Sequence, residues 1–126
     1  MKIDIPVSIG ELLDKISILN IKVSFVESES VTQELEDLKK IRDLLIQGTL
    51  EYEIRLRVIN EKLWKIEDRI REKEKLKEFD DEFIELARSV YKTNDERVLI
   101  KREINEVYNS PYQEVKSCLH NKLNTL

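Results

Sequence analysis

The sequence predicts an all-α fold, an antiparallel helical hairpin or bundle of about five helices with a short extended N-terminal arm. Charged residues make up 38% and apolar residues 40% of the 126 residues, and only two Gly and two Pro are present, a composition typical of amphipathic helices. One long stretch, about 50–77, reads as a central helix. Its apolar residues recur at alternating spacings of three and four, the seam of a coiled-coil-like helix. These residues are Leu56, Ile59, Leu63, Ile66 and Ile70.

The N-terminal arm covers residues 2–7. Ile3, Ile5 and Val7 alternate with other residues, and Pro6 closes the segment. A lone strand is not stable, so the arm either lies on the bundle or pairs with another chain. We expect it to lie on the bundle.

Capping boxes mark the start of the first two helices, because a Ser is followed three residues later by Glu or Gln. The two boxes are Ser8–Glu11 and Ser30–Gln33. The first helix should run from residue 8 to about 26 and the second from about 31 to 46, where Gly48 can supply a left-handed cap. The short turn between them predicts an antiparallel hairpin.

The second half of the chain is predicted to contain two more helices after the long one. An acidic cap signal at residues 79–82 begins a helix of about 80–92, and a second signal at 93–96 begins another of about 95–108. The charged tail of the long helix, residues 71–78, should project from the core. Residues 112–126 are expected to hold a short helix and a frayed end. We expect residues 1–126 to form a single helical domain.

Several function classes do not fit this sequence. A net charge of −4 with interspersed signs argues against nucleic-acid binding. Cys118 and His120 are the only Cys and His, too few for a disulfide, a usual zinc site or a catalytic triad. Phosphate loops, dinucleotide fingerprints, signal segments and apolar runs of ~18 residues are absent. We therefore expect a cytoplasmic protein with no metal, cofactor, membrane contact or identifiable catalytic residue.

Polar side chains beside the predicted core form one candidate ligand site. They are Lys15, Asn60, Trp64, Glu67, Arg71, Arg88, Tyr91, Asn94, Asp95, Arg97 and Lys101. In one interpretation the cations receive a carboxylate or phosphate above an aromatic floor. In the other, the same residues form an inter-helix network that fixes register, with Trp64 filling a gap. The sequence pattern alone favours the network. Asn94 and Asp95 are interpreted first as a helix cap and only second as ligand contacts.

Three segments resemble the signature segments of a small family of bacterial and phage proteins that has no assigned activity. They are GELLDKI at 10–16, NEKLWKIEDRIR at 60–71 and ARSVYKTNDER at 87–97. The resemblance extends from about residue 5 to residue 116. It implies no reaction, although some members are associated with surface-polysaccharide or glycosyltransferase genes. The segments contain most of the candidate polar residues.

These observations favour a non-enzymatic helical protein that self-associates in a structural or interaction role, with a two-fold homodimer as the default. The alternative is a binding or catalytic pocket for an anionic metabolite or sugar phosphate, linked to surface-polysaccharide metabolism. A third interpretation is a docking adaptor that uses the charged projection at 71–78, although a solvated helix end is the favoured explanation of that segment.

Overall fold

The computed structural model describes residues 1–112 and 114, and within them it contains four α-helices and no strand. The helices are α1 (Ile9–Phe25), α2 (Glu29–Leu45), α3 (Leu50–Leu76) and α4 (Asp81–Val107). The all-α prediction is confirmed, with four helices in place of about five. No described helix combines the length and apolarity needed to cross a membrane. The expected short helix after residue 112, with Cys118 and His120, lies outside the described residues.

The predicted break between a fourth and a fifth helix is wrong, because α4 continues through it. Thr93, which resembled a cap residue, is buried inside the helix at 1% exposure. Val98 is buried one turn later, and α4 packs along α3. Thr, Asn and Asp side chains can bond to the backbone and so interrupt a helix. Here the packing of α4 on α3 favours the continuous helix, so the tertiary contact overrides the capping signal.

The helix at the centre of the packing is α1, because it contacts all three of the others, whereas α2 packs on α1. The predicted long helix at 50–77 is confirmed as α3, but it is not the central element. The seam of α3 behaves as predicted, since Leu56, Leu63 and Ile66 are buried. Leu13 and Ile16 of α1 meet this seam in the hydrophobic core.

The first turn of α1 is closed by side chains from the far end of the chain. Its Gly10 amide donates to Asn105 Oδ1 at 2.7 Å, and its Ile9 amide donates to Ser110 Oγ at 3.2 Å. Ser8 caps the helix as predicted, accepting from the amide three residues later at 3.0 Å. Amides that a helix start normally leaves unpaired are therefore satisfied by α4 and the segment that follows it.

The N-terminal arm does not lie on the bundle, which corrects the expectation above. Ile3 and Ile5 are exposed, and Val7 is only partly covered. The arm has no regular secondary structure. Its apolar side chains therefore lack a covering surface within one copy of the described chain.

The charged end of α3 does not simply project into solvent. Lys73 is buried, and its Nζ lies 2.7 Å from Asp80 and 3.1 Å from both Glu78 and Glu82. Lys73 donates hydrogen bonds to these carboxylates, led by the one to Asp80, and they raise the pKa of Lys73 well above its usual range. Lys73 in turn lowers the pKa of Asp80 and of Glu82. Lys73 therefore fixes the turn between α3 and α4.

Gly10→Ala should destabilise the protein by about 1–3 kcal/mol, because overpacking a closed contact has that cost. An added Cβ would lie 2.7 Å from the backbone oxygen of Lys101, so α1 and α4 would have to separate. Urea denaturation measures the change. Gly48→Asn is the matched control: Gly48 has φ +71 and no neighbour within 4 Å of an added Cβ, and Asn tolerates that conformation. Equal stabilities for Gly10→Ala and the wild type would contradict this packing.

Candidate functional site

A buried polar network joins three helices at Asn60. The Asn60 side chain reaches from α3 towards α1, where its Nδ2 donates to Asp14 Oδ1 at 2.9 Å and to Ser17 Oγ at 3.2 Å. Its Oδ1 accepts from Arg97 Nη1 of α4 at 3.3 Å. Asn60 is 5% exposed and Asp14 is 3% exposed. One amide therefore uses both of its ends to connect α1, α3 and α4.

The helix periodicity explains why these residues meet. Asn60 lies four residues after Leu56 and three before Leu63, so it occupies the edge of the buried seam of α3. Asp14 and Ser17 are three residues apart on α1, on the face that also carries Gly10 one turn earlier. The close contact at Gly10 brings this face of α1 against α4.

Burial dominates the electrostatics of Asp14. Desolvation raises the pKa of Asp14 above its usual 3.8, although the hydrogen bond from Asn60 and the charges of Arg97 and Lys101 act in the opposite direction. Lys101 Nζ lies 3.9 Å from the Asp14 carboxylate and closer to two others, 2.7 Å from Glu11 and 3.1 Å from Glu114. Burial opposes the charge of Lys101, but these acidic partners keep its pKa above the ordinary value.

On the Arg97 side, the network borders a small groove between α1, α3 and α4. The groove has a volume of about 290 Å³. Residues that line it include Ile21, Asn60, Trp64, Glu67, Asn94 and Arg97. The indole of Trp64 stacks on the ring of Phe25, with centroids 5.2 Å apart and planes at 14°. Trp64 is therefore held in place from α1 while it forms a wall of the groove.

Arg97 is the least satisfied charged group of the network. Its one hydrogen bond within the described chain goes to the neutral amide of Asn60, and it forms no ion pair with a described carboxylate. Its Nε is enclosed without an acceptor among those residues. An enclosed donor without an acceptor is unusual. Because Arg97 also lines the groove, the other N–H groups of its guanidinium are candidates for ligand contact.

The structure brings together five of the predicted candidates and separates the others. Asn60, Trp64, Glu67, Asn94 and Arg97 line the groove. Lys101 belongs to the opposite end of the network. Asp95 is half-buried but does not line the groove. Four candidates are exposed elsewhere, and one of them pairs with Glu85 at 3.1 Å. Those four are Lys15, Arg71, Arg88 and Tyr91.

Asp14, Ser17 and Asn105 belong to the network but were not among the predicted site residues. Asp14 and Ser17 had a recognisable signal, because they interrupt the broad apolar arc of the first helix at a spacing of three. A polar pair at that spacing inside an apolar arc indicates a buried hydrogen-bonded group. Asn105 had no comparable signal, since α4 carries polar residues on several faces.

These observations define an all-helical protein in which three helices meet at a buried polar network beside a small groove. The chain belongs to DUF6165, a family of unknown function, whose sequence profile matches residues 1–122. This confirms the predicted membership of a family without an assigned activity. No curated protein and no solved structure gives a significant match.

Asp14→Asn should change how stability depends on pH. A raised pKa means that the folded state binds the Asp14 proton more tightly than the unfolded state. The wild type should therefore lose stability relative to Asp14→Asn as pH rises from about 3.8 through the raised pKa, and the difference should then level off. Each tenfold change in proton affinity is worth about 1.4 kcal/mol.

Urea denaturation of both proteins between about pH 4 and pH 8 measures this difference, and the titrations of groups remote from Asp14 cancel between them. A difference that stays constant across this range, or that changes with the opposite slope, would contradict the effect of burial on Asp14.

Proposed function

We propose that the protein is a non-enzymatic helical protein that self-associates as a homodimer, and that a second copy covers an apolar face of α3. The supporting observation is that α3 has two apolar faces. Leu50, Ile54 and Val58 are 70%, 55% and 61% exposed, and their spacing of four places them on one side of the helix. The buried seam at Leu56 points nearly the opposite way, so this second face has no partner among the described residues of one copy.

The charges around Ile54 favour a second copy as the partner. Glu51 and Glu53 precede it, and Arg55 and Arg57 follow it at the same distances. If two α3 helices pair antiparallel about a two-fold axis at Ile54, the acidic half of each lies over the basic half of the other. Such an isologous contact is the commonest arrangement in homodimers, and complementary charges fix its register.

The outer pair in this arrangement is Glu51 with Arg55 of the other copy. The two positions are four residues apart and share one edge of the helix, and the two-fold axis brings them to within about 3 Å along the helix axis. Glu51 is exposed. Glu53 contributes less, because Arg42 binds it at 2.6 Å within the same copy.

The N-terminal arm is a second source of interface area. Tyr108 Oη donates to the backbone oxygen of Gln47 just before α3, and Ser110 bonds to the first turn of α1, so the arm and Leu50 lie at the same end of the bundle. A short helix pair alone buries little surface, whereas stable interfaces bury ~1,200 Å² or more in total. Ile3 and Ile5 supply additional apolar surface.

The second candidate function is a binding pocket for an anionic metabolite or sugar phosphate, with a link to surface-polysaccharide metabolism. The observation that favours it is the guanidinium of Arg97, which lines the groove and forms no ion pair with a described carboxylate. The two functions use different faces and are compatible. A single domain over residues 1–126 in the cytoplasm belongs to both proposals. The docking role for 71–78 has less support, because Lys73 is engaged within the turn.

Charge reversal tests the dimer proposal directly. Glu51→Arg alone, or Arg55→Glu alone, should weaken the dimer about tenfold, because each creates two like-charge contacts across the two-fold axis. The double variant with both changes should recover the wild-type association. Ile54→Asp should produce a monomer. Analytical ultracentrifugation over a range of concentrations measures the dissociation constant.

Leu76→Asp is the control, since Leu76 is equally exposed at the other end of α3 and should leave the association unchanged. Circular dichroism verifies folding, because Arg55 also pairs with Glu103 at 2.8 Å. A wild type that remains monomeric at the highest concentrations, or a double variant that is weaker than both single variants, would overturn the α3 interface.

A further inference from the structure

We propose that the groove at Arg97 binds a small amino-acid-like zwitterion, with its carboxylate on Arg97 and its ammonium group on Glu67. This inference rests on the ligand-binding function proposed as the second candidate and narrows it to one class of ligand. The proposed ligand differs from the sugar phosphate expected from the sequence, because a phosphate suits this groove less well than a carboxylate.

The state of Arg97 indicates a carboxylate. A guanidinium offers five donors in a planar fork that matches the two oxygens of a carboxylate. Arg97 uses one of them, at 3.3 Å to Asn60. The Asn60 amide cannot neutralise the cation, and its orientation is fixed because its Nδ2 is occupied by Asp14 and Ser17. Asn60 therefore holds Arg97 in position. The charge of Arg97 acts on Asp14 within the network, but no described carboxylate forms an ion pair with it.

The charge of the groove argues against a phosphate dianion. Among the described residues that line it, Arg97 is the only cation and Glu67 is the only anion, so their formal charges cancel. A dianion would have one cation to neutralise it and a carboxylate to repel it. A zwitterion matches both groups, since the carboxylate of Glu67 can accept from an ammonium group.

The remaining walls suit a short apolar body. Ile21, Leu63 and Trp64 line the groove beside the polar groups. A volume of about 290 Å³ is at the lower end of the range for small-molecule sites. One small metabolite of amino-acid size fits this space. Trp64 is also the only Trp in the chain, so its fluorescence reports directly on the groove.

Titration of the full chain with a panel of L-amino acids other than Trp, monitored by Trp64 fluorescence, tests the proposal. We expect a saturable change with at least one apolar amino acid. The amide of that amino acid lacks the carboxylate, and the analogue without the amino group lacks the ammonium. Each should bind at least tenfold more weakly, because each loses one charged contact.

Matched variants assign the contacts. Arg97→Met and Arg97→Lys should both weaken binding at least tenfold, because Lys keeps the charge but lacks the planar fork. Glu67→Gln should weaken the binding of the amino acid but not the binding of the analogue that lacks the amino group. Arg88→Met is the control, since Arg88 lies on the same helix outside the groove. Circular dichroism checks the folding of each variant.

Glucose 1-phosphate separates failure of this inference from failure of the proposed binding function. One outcome is that glucose 1-phosphate binds, that Arg97→Met abolishes this binding, and that no amino acid binds. This outcome would overturn the zwitterion as the ligand but retain the binding pocket. If neither class binds at concentrations up to ~10 mM, the binding function is overturned with it.

Discussion

The hydrogen bonds of one buried amide, Asn60, set the relative positions of α1, α3 and α4. Apolar contacts along the seam supply most of the driving force for packing, but they tolerate small shifts between helices. The amide does not, because a shifted helix would leave Asp14, Ser17 or Arg97 buried without a partner. An unpaired buried polar group costs about 1–3 kcal/mol, so the network selects a single register.

The same register positions the features on which the proposed functions depend. The contact of Gly10 with α4 aligns α1 so that Asp14 reaches Asn60, and Asn60 in turn holds Arg97 at the edge of the groove. On its other side, α3 turns its second apolar face away from this assembly. The molecule therefore separates its two surfaces: a polar groove on the side of the network, and an apolar, charge-patterned face around Ile54.

The sequence predicted most of the features that depend on local pattern, although the predicted Ser30–Gln33 box is wrong, since Ser28 caps α2. The Ser8 cap, the extent of α3 and the buried positions of its seam follow from spacings of three and four and from capping chemistry. Features that depend on distant contacts were missed. The cap-like Thr93 is buried inside α4, and Asn105 acquires its role only through Gly10, 95 residues earlier in the chain. Five of the candidate groove residues were identified. Asp14 was not, although it and Ser17 interrupt the apolar arc of α1, because its partner Asn60 lies 46 residues later in the chain.

The most direct test of this account is a double-mutant cycle between Asp14 and Asn60, measured by urea denaturation of the two single Ala variants and the double Ala variant. If the network fixes the register, the two changes should be coupled by about 1–3 kcal/mol. The exposed pair of Glu85 and Arg88, 3.1 Å apart and outside the proposed α3 interface, provides a control cycle with a coupling of about 0.5 kcal/mol or less. A coupling for Asp14 and Asn60 no larger than that of the control would contradict the central role of the amide.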